Sequence, residues 1–191
     1  MNTETEKLSP QQSLDLISEM ISQAKGSVKH NSFYFLFWGW ILLAANLGVF
    51  ILIRINYPSP YMVWLITIPA WIITLVKGVR QAQHVRVSTH LDKINGVMWI
   101  SYGVFALLMG FAFGRFINYQ INAVLLLVGG LCVFVSGFII RFKPVSIGGI
   151  VLFCAGGLCF FTDAAYLNLV AAAGVAFGYL VPGYLLKKSK V

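Results

Sequence analysis

Few residues in this chain have side chains that could form a catalytic or metal-binding site. Their spacing matches no familiar site of either kind. His84, His90 and Asp92 lie near one another between two apolar runs, but their spacing fits no dependable metal site. No nucleophile and base are spaced to suggest a catalytic reaction. The three cysteines form no Cys-x-x-Cys pair, and we expect buried thiols at Cys132, Cys154 and Cys159. The sequence therefore predicts no catalytic residue, no metal and no cofactor.

The composition explains this scarcity of polar groups. Hydrophobic residues make up 59% of the 191 residues and charged residues 10%, whereas soluble domains average about 45–50% and about 25%. A chain of this size cannot bury that much apolar surface from water, which excludes a soluble enzyme, a disordered tail and a secreted disulfide-rich domain. Six continuous apolar runs have the length of a membrane-spanning helix, at 33–53, 61–79, 97–113, 121–140, 145–161 and 164–186.

The distribution of positive charge predicts how these spans are oriented. Six alternating spans place twelve of the fourteen Lys and Arg residues on one side of the membrane and leave only Arg54 and Arg115 on the other. Because Lys and Arg accumulate on the cytoplasmic side, both termini are predicted to be cytoplasmic. The fold class is thus an all-α membrane bundle of six helices in three hairpins. Membrane lipid, and not nucleic acid, is the expected partner of the basic residues, whose headgroup contacts we assign to Lys77, Arg80, Arg86, Arg141, Lys143, Lys187 and Lys188.

The first 30 residues have a pattern of their own, which predicts a cytoplasmic amphipathic helix ahead of a transmembrane domain over 31–191. Ser9-Pro10-Gln11-Gln12 is typical of a helix start. The stripe that follows has no aromatic residue, and the charges beside it cancel, so protein contact is favoured over the membrane surface. Its own bundle, a second copy or another cytoplasmic protein could cover this stripe. The candidate contact residues recur at spacings of three and four and are Leu14, Ile17, Ile21, Ala24 and Val28.

Small residues recur at packing intervals inside the predicted spans. Glycines four or seven residues apart let helix backbones approach closely, either within one bundle or between copies. The few polar residues in the spans, Asn46, Asn122, Ser136 and Asn168 among them, are interpreted as hydrogen bonds between helices. Pro69 and Pro182 are predicted to kink their spans. The glycines assigned to helix packing are Gly103, Gly110, Gly114, Gly130, Gly137, Gly149, Gly156, Gly174 and Gly178.

Several short segments resemble a group of small, uncharacterised multi-pass inner-membrane proteins of Bacteroidetes-type bacteria. They are MISQAK at 20–25, NSFYFLFWGW at 31–40, FKP at 142–144 with IGG at 147–149, and PGYLLKK at 182–188. The resemblance implies a bacterial inner-membrane location, and it carries over no activity and no catalytic residues.

Two functions remain open from the sequence. An ordered cytoplasmic helix joined to a chemically quiet interior favours a non-enzymatic subunit that interacts, senses or regulates through that helix and the basic second loop. The alternative is a small transporter or channel for a neutral or lipidic solute, because kinked spans with scattered polar groups can line a cavity.

Overall fold

The computed structural model describes residues 10–84, 90–113 and 120–189, and every regular element in these ranges is helical. For residues 10, 12–31, 81–84, 111 and 165 only the backbone is described. The elements are α1 (Pro10–Arg54), a 3-10 helix (Pro60–Ile66), α2 (Thr67–His84), α3 (His90–Phe111), α4 (Ile121–Ile139), α5 (Lys143–Cys159), α6 (Ala164–Val175), a π-helix (Ala176–Leu180) and α7 (Val181–Lys188).

The helices have the length and composition of membrane spans. Five stretches in the described part of the chain are long and apolar enough to cross a bilayer, namely Ser32–Arg54, Pro60–Arg80, His90–Gly110, Ile121–Ile139 and Tyr166–Lys188. α5 is apolar but has 17 residues, about 26 Å of helix against a hydrocarbon core of about 30 Å. The all-helical architecture and its long apolar helices are therefore confirmed. The sixth span and the direction of the chain across the membrane stay predictions.

The outer surface of the bundle is apolar, as a hydrocarbon solvent requires. Large apolar side chains point outward on helix after helix, for example Ile72, Val97 and Phe138, which are 58%, 64% and 66% exposed. Soluble monomers rarely expose contiguous apolar patches of more than a few hundred Å². The exposed side chains thus agree with the composition in indicating a multi-pass membrane protein.

A central group of helices contains the core. α1, α4, α5 and the continuous run from α6 through the π-helix to α7 pack on one another and bury Val49, Val133, Leu152, Val175 and Leu186. α2 and α3 lie at the periphery, since only 6% of the residues in each of their apolar windows are buried. α2 reaches the core through α1, and α3 reaches it through α4.

Backbone-to-backbone contact joins α4 and α5. A Cβ atom built on Gly130 would lie 2.9 Å from the carbonyl oxygen of Gly149, and one built on Gly149 would lie 2.7 Å from the carbonyl oxygen of Gly130. Only glycine allows this approach. The other packing glycines meet side chains or backbone of a neighbouring helix at Gly103, Gly137, Gly156, Gly174 and Gly178, whereas Gly110 has no such neighbour within 4 Å and Gly114 lies outside the described residues.

The two prolines act on their spans in different ways. Pro69 is the third residue of α2, in the first turn, where its missing N–H would have no intrahelical partner. The irregularity in that span is the change from a 3-10 helix to α2 just before it. Pro182 follows the π-helix directly. Because proline cannot donate and crowds the preceding turn, the wider π turn accommodates it.

The contact between α4 and α5 predicts the effect of a single methyl group. Gly149→Ala forces two backbones apart and should lower the free energy of unfolding by about 1–3 kcal/mol, the usual cost of overpacking. Unfolding of the purified protein in detergent micelles, followed by circular dichroism against denaturant, measures it. The matched control is Gly157→Ala on the same helix, where no atom lies within 4 Å of the added carbon. Equal stability of the two variants would contradict the packing described here.

Candidate functional site

Contacts between helices define the two ends of the bundle. The ammonium nitrogen of Lys77 lies 3.0 Å from the centre of the Phe33 ring, so the last part of α2 meets the start of the apolar part of α1. At the opposite end, the guanidinium carbon of Arg54 lies 4.9 Å from the centre of the Tyr166 ring. The end of α1 therefore lies beside the start of α6. Each contact holds a cation over an aromatic face, a favourable arrangement for both partners.

The predicted headgroup residues gather at the Lys77 end, which we call the basic end. Trp40 donates from its indole nitrogen to the Tyr184 hydroxyl at 3.3 Å, which brings the end of α7 to the start of the apolar part of α1. Pro182 packs against Gly148, so the start of α5 lies there too. Arg80 follows Lys77 by one helical turn on α2, and Arg86 lies outside the described residues. The helix ends and the turn on this side of the bundle carry Lys77, Arg141, Lys143, Lys187 and Lys188.

The backbone of α1 continues without a break from the predicted cytoplasmic segment into the core. The helix begins at Pro10 and ends at Arg54, so it passes through the predicted boundary between residues 30 and 31. At about 1.5 Å per residue, its 45 residues span about 67 Å, twice the thickness of a hydrocarbon core. The candidate contact residues Leu14, Ile17, Ile21, Ala24 and Val28 lie on this helix, but their side chains fall outside the described part of the structure.

Three asparagines from three helices meet inside the core. Asn122, at the start of α4, donates from Nδ2 to the Oδ1 atom of Asn46 on α1 and, at 3.3 Å, to the Oδ1 atom of Asn168 on α6. Asn46 donates in turn to the carbonyl oxygen of Leu42 at 2.8 Å. Asn46 and Asn168 are only 1% and 6% exposed. We call these three residues the asparagine cluster; its hydrogen bonds tie α1, α4 and α6 together.

A small cavity lies beside the asparagine cluster. Its volume is about 30 Å³, enough for one or two water molecules, and it is partly open at the surface of the bundle. Asn46 and Asn122 supply its amide groups, and Trp64 and Tyr102 supply aromatic walls. The remaining wall is apolar and consists of Leu42, Leu125, Leu126 and Val175.

Hydrogen bonds of polar side chains attach the two peripheral helices. On α3, Trp99 donates to the Ser136 hydroxyl at 3.0 Å, and that hydroxyl donates to Asn95 at 2.8 Å. One turn further along α3, the Tyr102 hydroxyl donates to the carbonyl oxygen of Leu125 at 3.1 Å. α3 is thus fixed to α4 at two levels, and Tyr102 is held at the edge of the cavity.

A tryptophan also attaches α2 to the core. The indole nitrogen of Trp38 on α1 donates to the Thr74 hydroxyl at 3.1 Å. The Trp71 ring lies edge-on to Trp38, with ring centres 5.2 Å apart, and its far edge fills the space above Gly103 on α3. Trp71 therefore joins the two peripheral helices to each other.

The chemistry that these groups support is recognition of a neutral group by hydrogen bonds. Among the side chains that the structure describes, no charged one lines the cavity. In the ranges that the structure describes, no three His, Cys, Asp or Glu residues come close enough to hold a metal ion. Cys132 and Cys159 are buried, and Cys154 is exposed on the apolar surface.

The three asparagines could be identified from the sequence, but their meeting in one cluster could not. Asn46, Asn122 and Asn168 stand out as polar residues in apolar runs, and that signal was correctly interpreted as hydrogen bonding between helices. Their meeting point depends on which helices pack together, and no spacing along the chain encodes it. Trp64 and Tyr102 were missed because aromatic residues are common throughout this sequence.

The asparagine cluster predicts a graded loss of stability. Asn122→Leu removes two bonds between helices and should lower the free energy of unfolding by about 1–2 kcal/mol, because such bonds average about 0.6 kcal/mol each and the two acceptors lose their donor. Asn168→Leu removes one of these bonds and should cost about half as much. Denaturant unfolding in micelles compares the two variants. An Asn168→Leu protein less stable than the Asn122→Leu protein would contradict the central position of Asn122.

Comparisons of the chain with protein families, with curated proteins and with solved structures find no match.

Proposed function

We propose that the chain is a six-span protein of the bacterial inner membrane that acts, without catalysis, as an interaction or regulatory subunit. Its partners in this proposal are the membrane lipid around the basic end and a cytoplasmic protein, or a second copy, on the N-terminal part of α1. The single observation that carries the proposal is the continuity of α1 from Pro10 to Arg54.

The position of the basic end supports the orientation. Five Lys and Arg residues from three parts of the chain gather there, whereas Arg54 lies at the other end. Anionic headgroups on the cytoplasmic face attract such residues by about 1 kcal/mol each. With the basic end cytoplasmic, α1 starts inside the cell and the chain also ends there. α5, despite its 17 residues, then crosses the membrane between α4 and α6.

The unbroken helix α1 supports a role in transmitting movement between a bound partner and the core of the bundle. The part of α1 before the span Ser32–Arg54 has 22 residues, about 33 Å of helix. A continuous helix carries rotation and tilt along its length, because its backbone hydrogen bonds leave no flexible joint. A movement of the core would therefore displace a partner bound to that part, and binding of the partner would in turn shift the core.

The alternative, transport of a neutral or lipidic solute, draws on the cavity beside the asparagine cluster. That cavity has space for one or two waters, and the core around it is packed through the asparagine hydrogen bonds. Transport would need a second arrangement of these helices. The interaction role needs none, and for this reason it is the function we favour.

The orientation can be tested with epitope tags in spheroplasts of a bacterial host. A tag inserted between Tyr57 and Pro58, or after Asp163, should be cut by added protease, because both turns face the periplasm in the proposed topology. A tag fused after Val191 should be cut only after the membrane is permeabilised. Cleavage of the Tyr57 tag with protection of the Asp163 tag would remove α5 from the set of spans, and the Val191 tag would then be cut as well. Protection of the Tyr57 tag with cleavage of the Val191 tag in intact spheroplasts would show that the protein is inverted.

The interaction role can be tested by changing the direction in which the N-terminal part of α1 faces relative to the core. A photoreactive residue at Ile21 should cross-link to a discrete polypeptide, whereas one at Ser22, about 100° around the helix, should not. Two alanines inserted after Asn31 turn the preceding segment by about 200° and should abolish the Ile21 cross-link. Four alanines turn it by about 40° and should retain most of it, although they lengthen the helix more.

Three results would count against the interaction role. They are equal cross-linking from Ile21 and Ser22, cross-linking to lipid alone, and a greater loss from four alanines than from two. The first and third results would show that the face of the helix does not determine what it contacts. The second would show that this face contacts lipid and no polypeptide.

A further inference from the structure

The hydrogen-bond pattern of Asn122 leaves one atom free beside the cavity. Both of its bonds within the cluster use Nδ2 as donor. Among the residues that the structure describes, none donates to its Oδ1 atom, and no fully buried side-chain oxygen or nitrogen lacks a partner. The Oδ1 atom therefore keeps an accessible surface, and the cavity that Asn122 lines is where a hydrogen-bond donor can reach it.

The walls of the cavity restrict the kind of donor. The described residues of the lining include no charged side chain, so an ammonium or a phosphate would meet no counter-charge from them. The volume of about 30 Å³ has room for a group as small as a hydroxyl. The apolar lining from Leu42, Leu125 and Val175 favours hydrocarbon next to that hydroxyl.

The surroundings of the cavity provide a path for an alkyl chain. Trp64 belongs to the 3-10 helix and Tyr102 to α3, two elements without extensive backbone contact. In the part of the chain that is described, α2 contributes no lining residue. Leu65 and Val104, on the same two elements, are 56% and 53% exposed. The partly open cavity therefore lies close to the apolar outer surface, where lipid chains lie in the proposed topology.

We propose that this cavity binds the hydroxyl group of a neutral lipid alcohol, a membrane amphiphile of the diacylglycerol type. The hydroxyl donates to the Oδ1 atom of Asn122, and the acyl chains leave between Trp64 and Tyr102 along the gap beside α3. This site is independent of a partner on α1. The inference needs only that the bundle is embedded in lipid.

The test uses the full-length protein in nanodiscs of phosphatidylethanolamine and phosphatidylglycerol that contain a small fraction of dioleoylglycerol. Native mass spectrometry measures the lipid that stays bound after release. A parallel sample contains the methyl ether of dioleoylglycerol, which keeps the chains and loses the donor. The alcohol should be retained about threefold to tenfold better than the ether, the effect of one hydrogen bond of about 0.7–1.4 kcal/mol.

Three variants separate the site from the fold. Asn122→Leu removes the acceptor and should lower retention of the alcohol to that of the ether. Leu125→Phe fills the cavity without touching the asparagine cluster and should reduce retention of the alcohol several-fold, even if the Asn122→Leu protein does not fold. Ser136→Ala, also on α4, removes two interhelical bonds away from the cavity and should retain the alcohol as the native protein does.

The outcomes that overturn the proposal are distinct. Equal retention of alcohol and ether would show that no donor is recognised. Undiminished retention in Leu125→Phe would place the lipid elsewhere on the bundle, and exclusive retention of phospholipid would indicate a headgroup site at the basic end.

Discussion

Close backbone contact between α4 and α5 is the constraint on which the rest of the bundle depends. In lipid, apolar side chains gain little by leaving the solvent for the core, so helices associate through tight packing and hydrogen bonds. Gly130 and Gly149 bring each backbone against the other's carbonyl oxygen. Gly137 and Gly156 continue the contact one heptad away on each helix, against Ser146 and Leu127. The resulting pair forms the surface on which the α6–α7 run packs, and α1 packs on that run.

Hydrogen bonds of polar side chains fix the arrangement of the other helices. Amide and indole side chains do so in different parts of the bundle. Amide side chains hold the centre, where the asparagine cluster joins α1, α4 and α6. Tryptophan indoles hold the periphery, where Trp38 reaches α2 and Trp99 reaches α4 from α3. An indole offers one donor on a large apolar ring, so it can fix a helix at the lipid boundary without leaving a second polar atom exposed.

Much of the secondary structure could be predicted from the sequence, because long apolar runs bounded by turns leave the chain few choices in lipid. The faces of those helices were harder to predict. In water, polar residues mark the outer face of a helix, but in α5 and α6 the core-facing and outward-facing positions are both apolar. The glycines gave a partial signal, since Gly149 and Gly156 fall at the contact with α4, whereas Gly110 has no neighbour. The cavity depends on tertiary packing and had no signal in the sequence.

The unequal lengths of the helices have a consequence for the bilayer itself. The stretches Ser32–Arg54 and Tyr166–Lys188 have 23 residues each, about 35 Å of helix, and the second of them packs against α5, which has 17. In the proposed six-span topology, no single hydrocarbon thickness matches both lengths when all three stand upright. The longer helices must incline, or the leaflets must pinch inward next to α5, at a cost of fractions of a kcal/mol per Å of mismatch. In a cell with membranes of several thicknesses, such a bundle would partition toward the thinner ones.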